Sequence, residues 1–156
     1  MATNSGEDIL QKLVKFCNYQ ERSIKEVEDK MKKLGVAPEE QEEYIERLQL
    51  EGFLDEERFA RSFARSKFLY NQWGRQKIEV YLKSKGVPSE LIEKGLNEID
   101  PEQYEEVVDE LARKKTESLK AEDTGLKAKQ KVWRFLAQRG FEPEVIGKSL
   151  EKAGFD

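Results

Sequence analysis

The chemistry that this sequence offers most plainly is the binding of anions by a run of basic side chains. Between Arg58 and Lys85 there are eight basic residues and one acid, Glu79, although the whole chain has a net charge of −4. At about 100° per residue, Arg58, Arg61 and Arg65 lie within about 60° of one another on one face of a predicted helix. A solvated helix face is the ordinary explanation of such a row. The lack of compensating acids nearby favours instead a surface for an anionic partner.

Aromatic and basic residues after this row extend the predicted surface. Burial is the favoured role for both Trp73 and Trp133. Trp73, however, stands in a predicted connection beside Arg75 and Lys77, where a partly exposed ring would suit an interface anchor. The predicted partner-binding residues are Arg58, Arg61, Arg65, Lys67, Trp73, Arg75, Lys77, Lys83 and Lys85. A secondary basic patch, from an interval without acids, consists of Lys127, Lys129, Lys131, Arg134 and Arg139.

Catalysis and metal binding are disfavoured by what the sequence lacks. It contains no histidine and a single cysteine, Cys17, so the commonest general base and the commonest zinc ligands are missing. It has no glycine-rich phosphate loop and no serine elbow. The many carboxylates fall on polar helix faces. Only a pair of carboxylates with perturbed pKa values in a deep pocket would favour an enzyme. We therefore expect no enzyme, no metal and no cofactor, and we expect Cys17 to be a small buried thiol.

The sequence also bears on location. The opening residues MATNSGED are not a basic and apolar signal segment. No apolar run approaches the ~20 residues of a membrane helix. We therefore expect a cytoplasmic protein that does not enter a membrane.

A pattern repeated three times predicts the architecture. Gly35, Gly86 and Gly140 each follow a helical run with apolar residues four and eight positions earlier, and each precedes a proline by no more than three residues. No alternating pattern typical of strands is present. The sequence therefore predicts an all-α protein of three tandem three-helix repeats, which are helix-turn-helix-like units at residues 1–54, 55–100 and 101–156. Each repeat is small enough to be marginal alone, so stacked neighbours would share buried surface.

Local signals predict where individual helices begin. Ser23 and Glu26 have the spacing of a capping box. Asp55 is expected to cap the fourth helix, and Asp100 the seventh. On the fourth helix, one side is expected to form core and consists of Phe59, Ala60, Phe63, Ala64 and Tyr70.

Reading of DNA sequence by the last helix of a repeat is disfavoured by charge. In helix-turn-helix units that helix enters the major groove. Here the corresponding segments, PEEQEEYIERLQLE and PSELIEKGLNEID, are rich in acids. A phosphate-lined groove would repel both segments, so backbone contact through the arginine row is the form of DNA binding that stays open.

Two consecutive segments of the middle repeat resemble the signature of the RecX family of bacterial regulatory proteins. They are GFLDEERFARSFARSKF, which begins at Gly52, and GRQKIEVYLKSKGV, which begins at Gly74. The flanking repeats agree with this family in length, helix pattern and stop glycines. The family motif corresponds here to Gly52, Phe53, Leu54, Asp55, Phe59, Ala60, Leu82 and Gly86, which we interpret mainly as determinants of the fold.

The resemblance implies a role in DNA repair and recombination. Family members bind the filament of the RecA recombinase, restrain its ATPase and strand-exchange activities, and are not enzymes. They fold as tandem three-helix repeats in an elongated, curved array. The resemblance therefore implies the RecA filament as partner. Single- or double-stranded DNA stays open as a further partner, through the backbone contacts that the arginine row allows.

The expected function is thus modulation, mainly inhibition, of the RecA–DNA filament by a monomer. Two alternatives stay open. The chain could be a nucleic-acid backbone-binding helical protein that acts without RecA, or a helical scaffold for another protein.

Overall fold

The computed structural model describes residues 5–155, and within this range the chain forms nine α-helices and no strand. Residues 1–4 and Asp156 lie outside this range. The start of the predicted first repeat and the end of the predicted third repeat therefore lie outside the described residues. So does part of the opening stretch that is predicted not to be a signal segment. The helices are α1 Gly6–Tyr19, α2 Ile24–Lys33, α3 Pro38–Leu50, α4 Glu56–Asn71, α5 Arg75–Ser84, α6 Ser89–Leu96, α7 Pro101–Glu117, α8 Gly125–Gln138 and α9 Pro143–Lys152. The prediction of an all-α protein is confirmed.

The predicted helix caps are present. Ser23 Oγ accepts a hydrogen bond from the Glu26 N–H at 3.1 Å, and the Glu26 carboxylate accepts one from the Ser23 N–H at 2.9 Å. Asp55 and Asp100 each accept a hydrogen bond from the N–H three residues further on. Because these N–H groups have no partner within their own helices, the caps fix where α2, α4 and α7 begin.

The described residues divide between two compact units. Unit 1 comprises the residues up to Ser62 together with Leu82–Gly95, and unit 2 comprises Phe63–Tyr81 together with the residues from Leu96 onward. The division passes through α4, α5 and α6. The compact units therefore differ from the predicted repeats, whose boundaries stay a prediction.

Unit 1 contains a hydrophobic core built mainly by α1, α2 and α3. Its buried members are Ile9, Leu10, Leu13, Cys17, Val27, Met31, Val36, Leu48 and Leu54. Burial raises the pKa of the Cys17 thiol, and the prediction that this thiol is buried is confirmed.

Two contacts in unit 1 hold the start of α4 in place. The Glu56 carboxylate accepts a hydrogen bond from the Ile24 N–H at the start of α2, at 2.9 Å. Gly95 of α6 lies so close to α4 that an added Cβ would stand 2.7 Å from the Ala60 carbonyl oxygen. Because Glu56 is buried, desolvation raises the pKa of its carboxyl group.

Unit 2 has an aromatic core against which α7, α8 and α9 pack. The Tyr104 ring centre lies 5.6 Å from that of Phe68 and 5.3 Å from that of Phe141. The three side chains are almost completely buried. Burial of rings of this size dominates the stability of a small core.

The start of α5 lies directly on the turn between α8 and α9. The Gly74 N–H donates to the Arg139 carbonyl oxygen at 2.7 Å, and the Gln76 N–H donates to the Gly140 carbonyl oxygen at 3.0 Å. A Cβ on Gly74 would stand 2.3 Å from the Gly140 carbonyl carbon. Only glycine permits this approach at position 74, and Gly140 itself has a φ of 93° that favours glycine.

The buried face of α4 turns along the helix, which corrects one part of the predicted core. Ala60, Ala64 and Phe68 are buried, and each step of four residues advances the buried face by about 40°. Tyr70 does not lie on this row and is 83% exposed. The expectation that Tyr70 is core is therefore wrong, because the buried face has moved round the helix to Phe68 by the end of α4.

Trp133 is the second correction. The buried stripe of α8 consists of Ala128, Val132 and Leu136, and Trp133 lies about 100° away from Val132 on the helix. Trp133 is 37% exposed. The expectation that it is buried is therefore wrong, because the smaller residues of α8 fill the core.

The Gly74 contact predicts a difference between two glycine-to-alanine substitutions. Gly74→Ala is expected to lower the free energy of unfolding by about 1–3 kcal/mol, because the added methyl group overlaps the Gly140 backbone. Gly147→Ala in α9 meets nothing within 4 Å and is expected to be neutral or stabilising by up to about 1 kcal/mol. Urea unfolding measures both, and equal effects of the two substitutions would contradict the contact.

The environment of Glu56 predicts a pH dependence. Since its pKa in the folded chain is raised above the ordinary value of 4.5, the ionised carboxylate is less favoured in the folded state than in the unfolded state. The stability contributed by this group is complete below about pH 4.5 and decreases as the pH rises through the folded-state pKa. Glu56→Gln keeps an acceptor for the Ile24 N–H but cannot ionise.

We therefore expect the unfolding free energy of Glu56→Gln, relative to the natural chain, to increase between pH 4 and pH 7. Urea unfolding at several pH values measures this difference. A difference that stays constant, or that decreases with pH, would show that the carboxylate is not desolvated.

Candidate partner-binding surfaces

The half-buried Trp73 is the centre of a surface made by α4, the turn after it and α5. The Lys67 Nζ lies 4.9 Å from the centre of the Trp73 ring, and the Lys77 Nζ lies 4.6 Å from it. The Tyr81 ring centre is 4.8 Å from that of Trp73, and the Phe63 ring meets Trp73 edge-on at 6.4 Å. We call these five residues the Trp73 cluster; all of them belong to unit 2.

The backbone fixes Trp73 at this place. Gln72 has a φ of 56°, so the chain turns sharply after α4. The Trp73 N–H then donates to the Lys67 carbonyl oxygen at 3.1 Å, and Gly74 is held against the turn after α8. Trp73 is therefore anchored on both sides by backbone hydrogen bonds.

The two lysines of the cluster have no acid as a charge partner in the described part of the chain, unlike most of the other residues that are predicted to bind the partner. Among residues 5–155, neither Lys67 nor Lys77 forms an ion pair with a carboxylate; both ammonium groups lie over aromatic rings. A cation over a ring keeps its full charge, and such contacts contribute about 0.5–1 kcal/mol at exposed sites. The cluster thus combines an aromatic anchor with two positive charges that no acid neutralises.

The arginine row on α4 is different, because its first member holds the chain together. The Arg58 Nε donates to the Glu21 carboxylate, and its Nη2 donates to the carbonyl oxygens of Gly52 and Phe53 at 3.1 and 3.4 Å. The hydrogen bond to Glu21 raises the pKa of the guanidinium group. Arg58 therefore closes the connection before α4 as well as facing solvent.

The other two arginines of the row also have acids beside them. The Arg61 Nε donates to the Glu57 carboxylate at 3.1 Å, and the Arg65 Nη1 lies 3.7 Å from the Glu98 carboxylate. Both arginine side chains are about half exposed. The expectation that the row lacks compensating acids is wrong, because Glu21 and Glu98 are distant in sequence and Glu57 lies one helical turn before Arg61.

Arg75 belongs to a polar group around the buried Tyr104 that sequence reasoning did not identify. Its Nη1 lies 3.0 Å from the Glu142 carboxylate, and its guanidinium carbon lies 3.9 Å from the centre of the Tyr104 ring. The Tyr104 hydroxyl accepts from the Arg75 N–H at 3.0 Å and donates to Glu142. Burial, and then the bond to Glu142, raise the pKa of Tyr104, so this tyrosine is a structural hydrogen-bonding group.

The remaining predicted contacts lie at the end of α5. Lys83 is exposed, and the Lys85 Nζ lies 3.6 Å from the Glu26 carboxylate. Both belong to unit 1, as do Arg58 and Arg61. The predicted set is therefore distributed over both units.

The secondary basic patch is not free of acids. Asp123, which precedes α8, lies 2.9 Å from the Lys131 Nζ and 3.5 Å from the Lys127 Nζ. The hydrogen bond from Lys131 holds the pKa of Asp123 below its usual value. The interval from Lys127 to Arg139 contains no acid, but Asp123 just before it neutralises part of the patch.

The other members of that patch have separate environments. Arg139 donates to the Asn71 carbonyl oxygen at 3.1 Å and lies 4.9 Å from the centre of the Phe135 ring. Arg134 is exposed, and Lys129 is half-buried. Lys127 and Lys131 are therefore ion-paired, whereas Arg139 makes contacts within unit 2.

The residues of the family motif occupy structural positions. Gly52 and Gly86 have φ values of 79° and 75°, which favour glycine. Asp55 caps α4. Buried members of the motif are Leu54, Phe59, Ala60 and Leu82.

Within residues 5–155 the chain has neither a candidate metal site nor a candidate membrane span. Within residues 5–155, no group of three or more histidine, cysteine, aspartate or glutamate side chains is placed to hold a metal ion. No helix in this part of the chain combines the length and the hydropathy of a membrane span.

Family models for RecX three-helix domains match most of the chain. The model of the first domain matches residues 10–48, that of the second matches 55–96, and that of the third matches 102–150. The prediction of three tandem three-helix repeats is thereby confirmed.

Individual relatives agree with these matches. The regulatory protein RecX of Oceanobacillus iheyensis is 32% identical over 139 residues, which are 89% of this chain and 51% of that protein. The regulatory protein RecX of Prosthecochloris aestuarii is 29% identical over 152 residues and is covered to 97%, as is this chain. The chain thus spans about half the length of the first relative and nearly all of the second.

Two crystal structures have the same fold. RecX from Lactobacillus salivarius superposes with a TM-score of 0.85 at 22% identity, covering 94% of this chain and 95% of that one. A second structure, of a regulatory protein RecX, gives a TM-score of 0.80 at 23% identity, covering 93% of this chain and 74% of that one.

The sequence motif, the helices and the domain matches therefore lead to one conclusion. The chain belongs to the RecX family of regulatory proteins.

Proposed function

We propose that this chain binds the RecA–DNA filament and inhibits the ATPase and strand-exchange activities of the recombinase, as a monomer in the cytoplasm. Membership of the RecX family supports RecA as the partner. The observation that carries the proposal is the Trp73 cluster, in which Lys67 and Lys77 flank a half-buried ring without a carboxylate partner. The Trp73 cluster is the part of the predicted surface that we place at the centre of the contact.

The chemistry of the cluster fits an anionic protein surface. Aromatic anchors of this kind carry much of the energy of protein interfaces when they are covered and desolvated. Lysine charges that are not neutralised within the chain attract acids of a partner and accelerate its association. The other residues that are predicted to bind the partner, including the arginine row, are expected to make weaker contacts around Trp73.

Inhibition requires no chemistry on a substrate. A chain that contacts neighbouring filament subunits at once would hold them in one arrangement and oppose the rearrangements that accompany ATP hydrolysis. Several contacts on one chain raise the avidity when all of them engage together. The proposed mechanism is therefore restraint by binding.

The two alternatives from the sequence make different predictions for bare DNA and for the recombinase. A backbone-binding protein that acts without RecA would bind bare DNA and filaments alike, with an affinity that falls steeply with salt. A scaffold for another protein would not be retained by the recombinase. Retention on filaments that exceeds retention on bare DNA favours the proposal over both.

Reversing the charges of the Trp73 cluster is expected to abolish most of the inhibition. The double variant Lys67→Glu and Lys77→Glu should need about tenfold more protein for half-inhibition, because acids would then face acids. Trp73→Ala should need about 30-fold more, as expected for an interface anchor worth about 2 kcal/mol. ATP hydrolysis by the recombinase on single-stranded DNA is the measurement, with urea unfolding as a check that the variants are folded.

The matched control reverses two exposed lysines of unit 2 outside the cluster. Lys120→Glu with Lys148→Glu changes the net charge equally, and among residues 5–155 neither side chain has an ion pair. Inhibition by this control should equal that of the natural chain. Equal inhibition by the control and by the cluster variants would exclude the cluster as the contact.

The arginine row is tested without Arg58, since Arg58 closes the connection before α4. Arg61→Gln with Arg65→Gln should weaken inhibition by less than about fivefold and reduce its salt dependence, because these charges already have acid partners. The same ATPase assay at two salt concentrations measures this. A loss as large as that of the lysine variant would make the row, and not the cluster, the main contact.

A further inference from the structure

A pocket on the first three helices combines aromatic rings with cations. It has a volume of about 300 Å³ and lies between the end of α1, the connection after it and α2. Its lining, within the described residues, consists of Lys12, Lys15, Phe16, Tyr19, Arg22 and Lys30. No acid lines the pocket, although the first repeat as a whole contains more acids than bases.

One wall of the pocket is built by cations packed on Phe16. The Arg22 guanidinium carbon lies 3.7 Å from the centre of the Phe16 ring, and the Arg22 Nε donates to the Phe16 carbonyl oxygen at 2.9 Å. The Lys30 Nζ lies 5.5 Å from the same ring. These contacts hold Arg22 and Lys30 in place before any ligand binds.

Two of the acids that stand near this pocket in sequence are engaged elsewhere. Glu21 accepts a hydrogen bond from Arg58. Glu26 caps α2 and lies 3.6 Å from the Lys85 Nζ. Among residues 5–155, Lys15, Arg22 and Lys30 have no carboxylate partner. Several positive charges therefore lie close together around this pocket. A bound anion would reduce the repulsion among them.

The exposed ring of Tyr19 indicates which kind of anion the pocket binds. Its ring is 82% exposed, and of the side chains in residues 5–155 only the Arg22 guanidinium, at 5.8 Å, lies over it. A phosphate alone would make no use of this ring. An open ring beside a row of cations is the combination that binds single-stranded nucleic acid, in which bases stack and phosphates are neutralised.

We propose that this pocket binds a short stretch of single-stranded nucleic acid. One base stacks on Tyr19, and the phosphates on either side of it meet Lys12, Lys15 and Lys30. Arg22, fixed against Phe16, forms the wall between the base and the phosphates. This contact is separate from the Trp73 cluster and does not depend on the proposed function.

The test uses the full chain and a fluorescein-labelled 15-nucleotide oligo(dT), without recombinase, followed by fluorescence anisotropy. Tyr19→Ala should weaken binding by about fivefold or more, the usual effect of losing one stacking ring. Lys15→Glu with Lys30→Glu should weaken binding and lower the slope of log K against log salt by about 1.4, since each phosphate contact on a single strand contributes about 0.7. Free ATP at the same nucleotide concentration should not displace the strand, because it offers only one nucleotide.

Matched controls lie outside the pocket. Tyr70→Ala removes a tyrosine that is equally exposed, at 83%, and Lys32→Glu with Lys33→Glu reverses two exposed lysines of α2. Both controls should bind like the natural chain. Absence of binding by the natural chain, displacement by ATP, or equal losses in the controls and the pocket variants would each overturn the proposal.

These outcomes are distinguishable from failure of the proposed function. Loss of oligonucleotide binding in the pocket variants with unchanged inhibition of the recombinase supports the pocket and leaves the Trp73 cluster untouched. If the natural chain inhibits the recombinase but does not bind the oligonucleotide, only the pocket proposal fails.

Discussion

The close approach of the backbone at Gly74 to the backbone at Gly140 is the constraint on which the Trp73 cluster depends. Two interhelical hydrogen bonds join these segments, and neither position has room for a Cβ, since one on Gly140 would stand 2.3 Å from the Lys77 Cβ. Trp73 and Lys77 lie on either side of this contact in sequence. Their positions on the surface of unit 2 are therefore set by the backbone and not by the flexible ends of their side chains.

The polar group of Arg75, Tyr104 and Glu142 reinforces the same contact. A buried tyrosine hydroxyl, a carboxylate and a guanidinium each satisfy the others, so none of them is left without a hydrogen-bond partner. Because Tyr104 is buried, loss of Glu142 would leave its hydroxyl group without a hydrogen-bond acceptor, which is unfavourable. The structure thus uses Arg75 to hold unit 2 together, whereas the sequence assigned it to the partner.

Basic residues consequently divide into two classes. Arginines such as Arg58 and Arg75 form several directed hydrogen bonds within the chain, for which the planar guanidinium group is well suited. Lys67 and Lys77 instead lie over rings and keep their charges available. Lys67 and Lys77 therefore supply positive charge at the surface of unit 2 that no carboxylate among residues 5–155 pairs with.

The features that sequence could predict are those determined by near neighbours along the chain. The capping box of Ser23 and the stop at Gly35 depend on a few adjacent residues, so both were predicted correctly. The acid partners of the arginine row, such as Glu98, are distant in sequence, and no helical period reveals them. Tyr70 and Trp133 show a further limit of prediction from sequence. Which face of a helix is buried depends on the elements that pack against it, and a fixed angle per residue does not contain this information.

The pocket beside Tyr19 was missed for a related reason. Counting charges over residues 1–54 describes the repeat as acidic, but the count does not show that Glu21 and Glu26 point towards other cations. The signal that could have found it is local, since Lys12, Lys15 and Tyr19 recur at helical spacing on one face of α1.

The central claim, that the Trp73 cluster faces the recombinase, is tested most directly by photo-cross-linking. A benzophenone amino acid replaces Tyr81, which is 44% exposed and touches Trp73, and the chain is irradiated on recombinase filaments assembled on single-stranded DNA. A second chain carries the same group in place of Leu50, which is 88% exposed on the acidic α3. The account predicts a covalent adduct with the recombinase from position 81 and little or none from position 50. Adducts from position 50 alone, or equal adducts from both positions, would contradict it.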